Sequence, residues 1–349
     1  MDPIVAFGLS DITDITSDWD AVSSMALDEQ PSLCADSSTT SSKSDRGFSP
    51  GAVLTPPDSN ASSPIENNKV EGNACISVST TFFPSANIDT LPTDIIILAS
   101  DSVFFYVSSE RLLSASSNNF NGRLPVKGDT IDAEPIISLP ESSAVLNIVL
   151  HTAYNMSCLH YAPSLADLEA AVSSMKLYGL HPQKFIVPNT PLFLTLLTYA
   201  PISPLDLYAL SASNDLHDLA VTTSSHLLSF QLPTLTDALA EKIGPIYLKK
   251  LFFLHLGRTD ALKRLILTPP HPHAPTPHCD FTEQKKITRA WALASAYLTW
   301  DARPDLSVSS LESALNPLAD HLTCDECRKT LRDRIRDVVI QWAQVKPTI

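Results

Sequence analysis

The stretch DIIILASDSVFFYVSSERLL, residues 94–113, decides the fold at the centre of this chain. Two apolar runs, Ile95 to Leu98 and Val103 to Val107, flank a short Ser-Asp-Ser turn, a pattern typical of a β-hairpin. Both runs are too continuously apolar for strands with one face in water, so we expect the hairpin to be covered on both sides. Ser108 or Ser109 can cap the helix that follows.

The apolar spacing downstream of the hairpin predicts five further elements. These are a helix from Glu110 to about Ser116, a short helix around residues 118–123, and a strand at Ile136–Leu139. Two longer helices follow: one lines a face with Val145, Leu146, Val149 and Leu150, and the other runs from Leu165 to a glycine stop near Gly179.

This order of strand, strand, helix, helix, strand, helix and helix resembles a BTB/POZ domain, of the divergent kind common in fungal proteins. The resemblance covers residues 89–186 and implies an α+β domain of short strands flanked by helices. It also implies a non-enzymatic adaptor that binds proteins, either a second copy of itself or a cullin. The motif positions that carry it, mostly structural in the family, include Asp94, Leu112, Leu113 and Phe120.

Three family features have no counterpart here. Where the family usually carries His followed by Lys, this chain has Ser109-Glu110, so the resemblance does not extend to the charged groove. The spacing of Ile131 and Glu134 does not match the family's cullin-contacting pattern. Residues 75–83 are typical of strand or coil and not of the family's upstream dimerising helix.

Residues 1–88 are predicted to form a disordered tail. The segment up to Thr93 holds 13 acidic and three basic residues and is rich in Ser, Thr and Pro. Such a composition buries too little apolar surface to offset chain entropy. Ser49, Thr55 and Ser63 each precede proline, so either proline-directed phosphorylation or a chance pairing accounts for them.

Residues 187–349 are predicted to form an all-helical domain. Apolar residues recur there at helical spacing, most clearly at Leu331, Ile335, Val338, Val339 and Trp342. The tryptophans of this region are interpreted as core residues rather than as a ligand cluster.

Composition excludes several function classes. The chain has nine glycines in 349 residues and contains no GxGxxG, GxxxxGK[ST], GxSxG or HExxH motif, so we expect no enzyme of the nucleotide-binding or familiar hydrolase kind. Its net charge is −14 and it has no basic stripe, which argues against a nucleic-acid partner. It also has no apolar run of roughly 18 residues, so no membrane partner is expected.

One group of residues has the chemistry of a metal site. Cys324 and Cys327 form a CxxC pair, and Cys279 lies upstream beside a His-rich loop. Zinc prefers four such ligands in a tetrahedron. The fourth ligand is expected to be His278 or His321, and the set Cys279, Cys324, Cys327 and His278 is our prediction for a structural zinc ion. The alternative is that the two CxxC cysteines simply pack at the start of the last helix.

Together these features predict a non-enzymatic interaction adaptor, acting in ubiquitin ligation or in transcription. Six cysteines without a secretion signal indicate reduced thiols, and we expect a cytoplasmic or nuclear protein. The alternatives are a zinc-stabilised helical module or a small-molecule binder in the C-terminal half. No organic cofactor and no catalytic residue are predicted.

Overall fold

The computed structural model describes residues 77–124 and 135–349. The predictions of a disordered tail and of phosphorylation at Ser49, Thr55 and Ser63 lie largely or wholly outside these residues. Within the described part the protein combines a small four-stranded sheet with many helices.

The sheet is built around the predicted hairpin. Strands β2 (Ile95–Leu98) and β3 (Val103–Val107) pair antiparallel, and two short strands flank them: β1 (Ser77–Val78) lies parallel to β3, and β4 (Ile136–Ser138) lies parallel to β2. The order across the sheet is therefore β1-β3-β2-β4. β1 and the fully buried Phe82 belong to this fold, whereas the sequence predicts that residues 77–88 are part of the tail.

The predicted helix after the hairpin is α1 (Ser109–Ala115), but the short helix expected after it is a left-handed turn at Asn119–Gly122. The φ angles in this turn lie between 54° and 69°. Asparagine and glycine tolerate this conformation better than other residues, and the side chain of Asn118 accepts a hydrogen bond from the Asn121 N–H at 2.8 Å. The turn places the ring of Phe120 flat against Tyr178, with 4.3 Å between ring centres.

Helices α2 (Ser143–Ala153) and α3 (Leu165–Leu177) pack against each other and against the sheet. The Ser164 side chain accepts the Asp167 N–H at 3.1 Å and the Asp167 carboxylate accepts the Ser164 N–H at 3.3 Å, which fixes the start of α3. The carboxylate of Asp101, in the hairpin turn, accepts the N–H of Ser143 at 3.0 Å and so joins the hairpin to α2.

Eight helices follow in the C-terminal half. They are α4 (Pro182–Phe185), α5 (Pro191–Leu197), α6 (Pro204–Ser213), α7 (His217–Ser224), α8 (Asp237–Leu267), α9 (Phe281–Trp300), α10 (Val308–Leu315) and α11 (Asp325–Gln344). The long α8 is broken at Gly244, whose φ of 76° and ψ of 162° are not helical and which precedes Pro245.

The buried side chains form separate cores. The first core contains the sheet, α2 and α3 but also extends to Leu219, so α5 and part of α6 and α7 belong to the same core as the sheet. The core at the C-terminal end is formed by α8 to α11, with Trp291, Leu331 and Trp342 among its buried residues. No helix in the described part of the chain combines the length and the apolar character that crossing a membrane requires.

The end of α8 is tied to its two neighbours by hydrogen bonds to its last carbonyls. Trp291 Nε1 and Ser295 Oγ on α9 both donate to the Ile266 carbonyl, at 2.8 and 2.7 Å. Arg334 on α11 donates to the Leu265 carbonyl at 2.6 Å and to the Thr268 carbonyl at 3.0 Å. Carbonyls that a helix end leaves without partners are thereby satisfied.

Candidate metal centre

Four metal-ligating side chains meet where the loop before α9 approaches the start of α11. The ligand atoms of His273, Cys279, Cys324 and Cys327 all lie within 4.8 Å of one another. Three of the separations are Cys279 Sγ to Cys327 Sγ at 3.6 Å, Cys327 Sγ to His273 Nε2 at 3.3 Å and Cys324 Sγ to His273 Nε2 at 3.4 Å.

Local structure explains how each cysteine arrives at this point. Thr276 and Cys279 exchange two backbone hydrogen bonds across a two-residue turn, at 2.9 and 3.1 Å, which fixes the Cys279 backbone. Cys324 is the N-cap of α11 and Cys327 lies in its first turn. Because residues three apart in a helix share a face, the CxxC spacing directs both thiols to the same side.

The histidine of the cluster is held in the orientation that a metal ligand needs. Its Nδ1 contacts the Ala274 carbonyl at 2.7 Å, so this nitrogen carries the proton and donates it. Nε2 is then left with a free lone pair that faces the thiols of Cys324 and Cys327. A hydrogen bond from the second ring nitrogen to a carbonyl is the usual support of a metal-bound histidine.

Three of the six distances between ligand atoms are close to those of a zinc site. With Zn–S bonds of about 2.3 Å and Zn–N bonds of about 2.0–2.1 Å, the ligand atoms of a tetrahedral site stand about 3.5–3.8 Å apart. The three short separations in the cluster, 3.3 to 3.6 Å, are within a few tenths of an ångström of this value. Three sulfur ligands and one imidazole nitrogen are also a donor set that zinc prefers.

The environment acts differently on the three thiols. The backbone N–H of Cys327, at the start of α11, stabilises the Cys324 thiolate and lowers the pKa of Cys324 to about 7. Burial raises the pKa of Cys327 to about 12 and also raises that of Cys279. Burial therefore disfavours the thiolate forms of Cys279 and Cys327 when no metal is bound. A bound divalent cation stabilises the thiolates and so removes this energetic cost.

The structure brings together three of the four residues chosen from sequence, with His273 in place of His278. His278 lies in the tight turn beside Cys279 and its side chain is exposed, as are those of His271 and His321. A Pro at the first central position of Thr276–Cys279 is typical of such a turn. That signal could have placed His278 at the tip of the turn and excluded it as the fourth ligand.

Gln284 provides a further contact that the sequence did not reveal. It lies in the first turns of α9 and is 3% exposed, and its side-chain amide nitrogen is 3.4 Å from His273 Nδ1. The start of α9 is thereby coupled to the cluster in addition to its chain connection through Cys279.

The four positions that carry the family resemblance are structural contacts in this protein. The Asp94 carboxylate accepts the N–H of Ser109 at 2.6 Å and its hydroxyl, and so fixes the start of α1. Leu112 is fully buried and Leu113 partly buried. Phe120 is 1% exposed, in its stack with Tyr178.

Neither protein-family models, nor curated proteins, nor solved structures gave a match to this chain. The four cysteines in the described residues are free of disulfides. The cluster is therefore assigned from its own donor atoms and distances.

Proposed function

We propose that this protein is a non-enzymatic interaction adaptor whose C-terminal helical region is braced by a structural zinc ion. The observation that carries the zinc assignment is the convergence of three Sγ atoms and one imidazole Nε2 within 4.8 Å. Four protein ligands complete a tetrahedron and leave no position for a substrate or a reactive water, which is the mark of a structural site.

The position of the cluster supports a bracing role. His273 and Cys279 come from the loop that joins α8 to α9, and the other two ligands begin α11. A zinc ion here links chain segments about 50 residues apart and holds α9 and α11 on the same core. Metal binding then contributes directly to the folding free energy of this region.

Metal content and thermal unfolding test this proposal. The full chain purified without chelators should contain about one zinc, and a content below about 0.2 per chain overturns the proposal. Strong chelation should lower Tm by about 10 °C or more, since each kcal/mol corresponds to about 2–4 °C in a domain of this size. Cys327→Ser should lose the metal, whereas the control Cys158→Ser, at a buried cysteine of the first core, should keep it.

The adaptor role is proposed for the BTB/POZ-like part, residues 89–186. Its support is the order of elements, a hairpin followed by α1, a turn, the parallel strand β4, α2 and α3. β4 lies at the edge of the sheet and its Ile136 is 58% exposed. An edge strand with an exposed apolar residue is suited to pairing with another chain.

Self-association and cullin binding are measured separately on the full chain. Light scattering should show a dimer or larger species that Ile136→Lys weakens, while the control Ile202→Lys, at a residue 72% exposed in the turn before α6, has no effect. Calorimetric titration with a purified cullin amino-terminal domain tests the ligase branch. A monomeric chain that binds no cullin overturns both self-association and the ubiquitin-ligase branch of the adaptor proposal.

A further inference from the structure

The outer face of α9 carries an apolar stripe that no described element covers. Leu293, Tyr297 and Trp300 are 58%, 73% and 91% exposed and follow one another at i, i+4 and i+7. Leu267, at the end of α8, is also 65% exposed. The buried face of the same helix carries Trp291. The stripe is therefore a second apolar surface, separate from the face that packs into the core. Large exposed apolar patches on a folded protein mark interaction sites.

A groove runs beside this stripe. It has a volume of about 470 Å³ and is lined by Leu267, Ala292, Ser295, Ala296, Thr299 and Trp300. Most of these side chains are small, so a partner's side chains can reach the helix backbone between the two large ones. This shape matches the packing of a second helix, whose ridges enter such grooves.

The same face becomes basic towards the start of α9. Lys285, Lys286 and Arg289 lie one to two turns before Leu293 on the exposed side. Lys286 pairs with Glu283 at 2.8 Å, whereas within the described part of the chain Lys285 and Arg289 form no ion pair. At the other end of the stripe, Asp301 faces Arg303 at 3.8 Å.

From this arrangement we propose that the outer face of α9 binds an amphipathic, acidic helical segment of a partner protein. Its apolar side chains would fill the groove between Leu267 and Trp300, and its acidic end would lie over Lys285 and Arg289. The face from Lys285 to Trp300 is about 22 Å long at 1.5 Å per residue, which accommodates a helix of about four turns. Aromatic anchors in an apolar groove are the usual energetic centre of such contacts.

Charge and shape favour this occupant over two others. An anionic lipid surface would not use a concave groove, and the net charge of −14 gives the chain no overall attraction to it. A second copy of the same face offers no acidic run to meet Lys285 and Arg289, because the nearby Glu283 already pairs with Lys286.

Peptide binding to the full, zinc-loaded chain tests the proposal. The probe is a fluorescein-labelled 18-residue helical peptide with leucines at i, i+3, i+4 and i+7 and four glutamates at one end; the control peptide has lysines in their place. Fluorescence anisotropy should show binding of the acidic peptide in the micromolar range and at least 10-fold weaker binding of the basic one.

Three variants locate the site. Trp300→Ala should weaken binding of the acidic peptide at least 10-fold, and Ile202→Ala, at a residue 72% exposed outside α9, should not. Arg289→Glu should weaken the acidic peptide and strengthen the basic one. Equal Tm values for all variants confirm that the fold is unchanged, as expected for exposed positions.

Four outcomes overturn the proposal. The first is no binding of the acidic peptide at 100 µM, and the second is binding that Trp300→Ala leaves unchanged. The third is dimerisation without peptide that Trp300→Ala abolishes, which assigns the face to a second copy. The fourth is Trp300-dependent sedimentation with vesicles of phosphatidylcholine and phosphatidylserine, which assigns it to a lipid surface.

Discussion

The guanidinium carbon of Arg258 lies 4.3 Å from the centre of the Trp342 ring. The same side chain is only 8% exposed and donates to the carbonyls of Pro304 and Val345, each at 2.7 Å. Burial lowers the pKa of Arg258, yet guanidinium groups remain charged in proteins. One residue of α8 therefore joins the segment before α10 to the end of α11.

Replacing Arg258 should be costly. Arg258→Met removes these hydrogen bonds and a third, to the Lys346 carbonyl at 3.3 Å, and leaves part-buried carbonyls without this partner, so we expect a loss of about 3 kcal/mol in unfolding free energy. Arg258→Lys should lower the unfolding free energy by nearly as much as Arg258→Met, because an ammonium group lacks the planar set of donors of a guanidinium. Urea unfolding measures both.

The matched control is Arg303→Met. Arg303 forms an exposed ion pair with Asp301 at 3.8 Å, and such pairs contribute about 1 kcal/mol or less. Equal losses for the two arginine variants would contradict the central role of Arg258.

His273 and His278 should differ sharply in metal binding. His273→Ala removes one of four ligands and should weaken zinc affinity by at least about 100-fold, because even indirect supports of a ligand contribute 10–100-fold. His278→Ala should leave affinity unchanged, since that side chain is exposed in the turn. Competition with a chromophoric chelator measures both, and a larger loss for His278→Ala would reverse the ligand assignment.

Two glycines with left-handed backbone should differ in their tolerance of alanine. At Gly179, with φ of 75°, a Cβ would collide with the Asn118 side-chain oxygen and lie 2.8 Å from its backbone nitrogen. At Gly244, with φ of 76°, a Cβ meets nothing within 4 Å. Gly179→Ala should therefore cost about 3 kcal/mol or more, and Gly244→Ala about 1–2 kcal/mol. Chemical unfolding compares them, and similar costs would show that the close contact relaxes freely.

Acidification should lower the unfolding free energy, because two histidines are buried. Burial lowers the pKa of His151 and of His255 below the usual 6.5. The Asn147 backbone opposes this shift at His151, where the nearby His160 adds to it, and the Leu227 backbone and Asp305 oppose it at His255. As the pH falls below 6.5, the unfolded chain therefore takes up more protons at these two positions than the folded protein does. Their stabilising effect is thus full above pH 6.5 and is lost as pH falls, by up to about 1.4 kcal/mol per pH unit for each histidine.

Unfolding free energies at pH 7.5, 6.5 and 5.5 measure this slope. The double variant His151→Gln, His255→Gln should show a smaller slope than the unchanged protein. The control His181→Gln, at an exposed side chain, should not. An unchanged slope in the double variant would assign acid sensitivity to other groups, such as the ligands of the metal cluster.

The hairpin and the helices after it could be predicted because their signals are local. Continuous apolar runs around a Ser-Asp-Ser turn gave the antiparallel pairing, and the Leu331 to Trp342 spacing gave α11. The left-handed turn at Asn119–Gly122 could not be distinguished from a helix, since its apolar Phe120 fits either pattern. What fixes it is the contact of Asn118 with Gly179, which lies far along the chain.

The metal site likewise depends partly on local sequence spacing and partly on contacts between distant residues. The CxxC spacing identified Cys324 and Cys327, because both lie on one helical turn. The choice of histidine depends on how the loop before α9 folds back, and several histidines of that loop are equally near in sequence. Only the three-dimensional position of His273 Nε2 resolves it.

The contact between His273 and Cys327 also has a topological consequence, because 54 positions separate them in sequence. A metal ion bound by both residues closes a loop of the chain that contains all of α9 and α10. Closing a long loop removes conformations chiefly from the unfolded chain, as a disulfide does, but here the crosslink is reversible and depends on the supply of an ion. Cellular zinc would then set the fraction of molecules in which the last quarter of the chain is assembled.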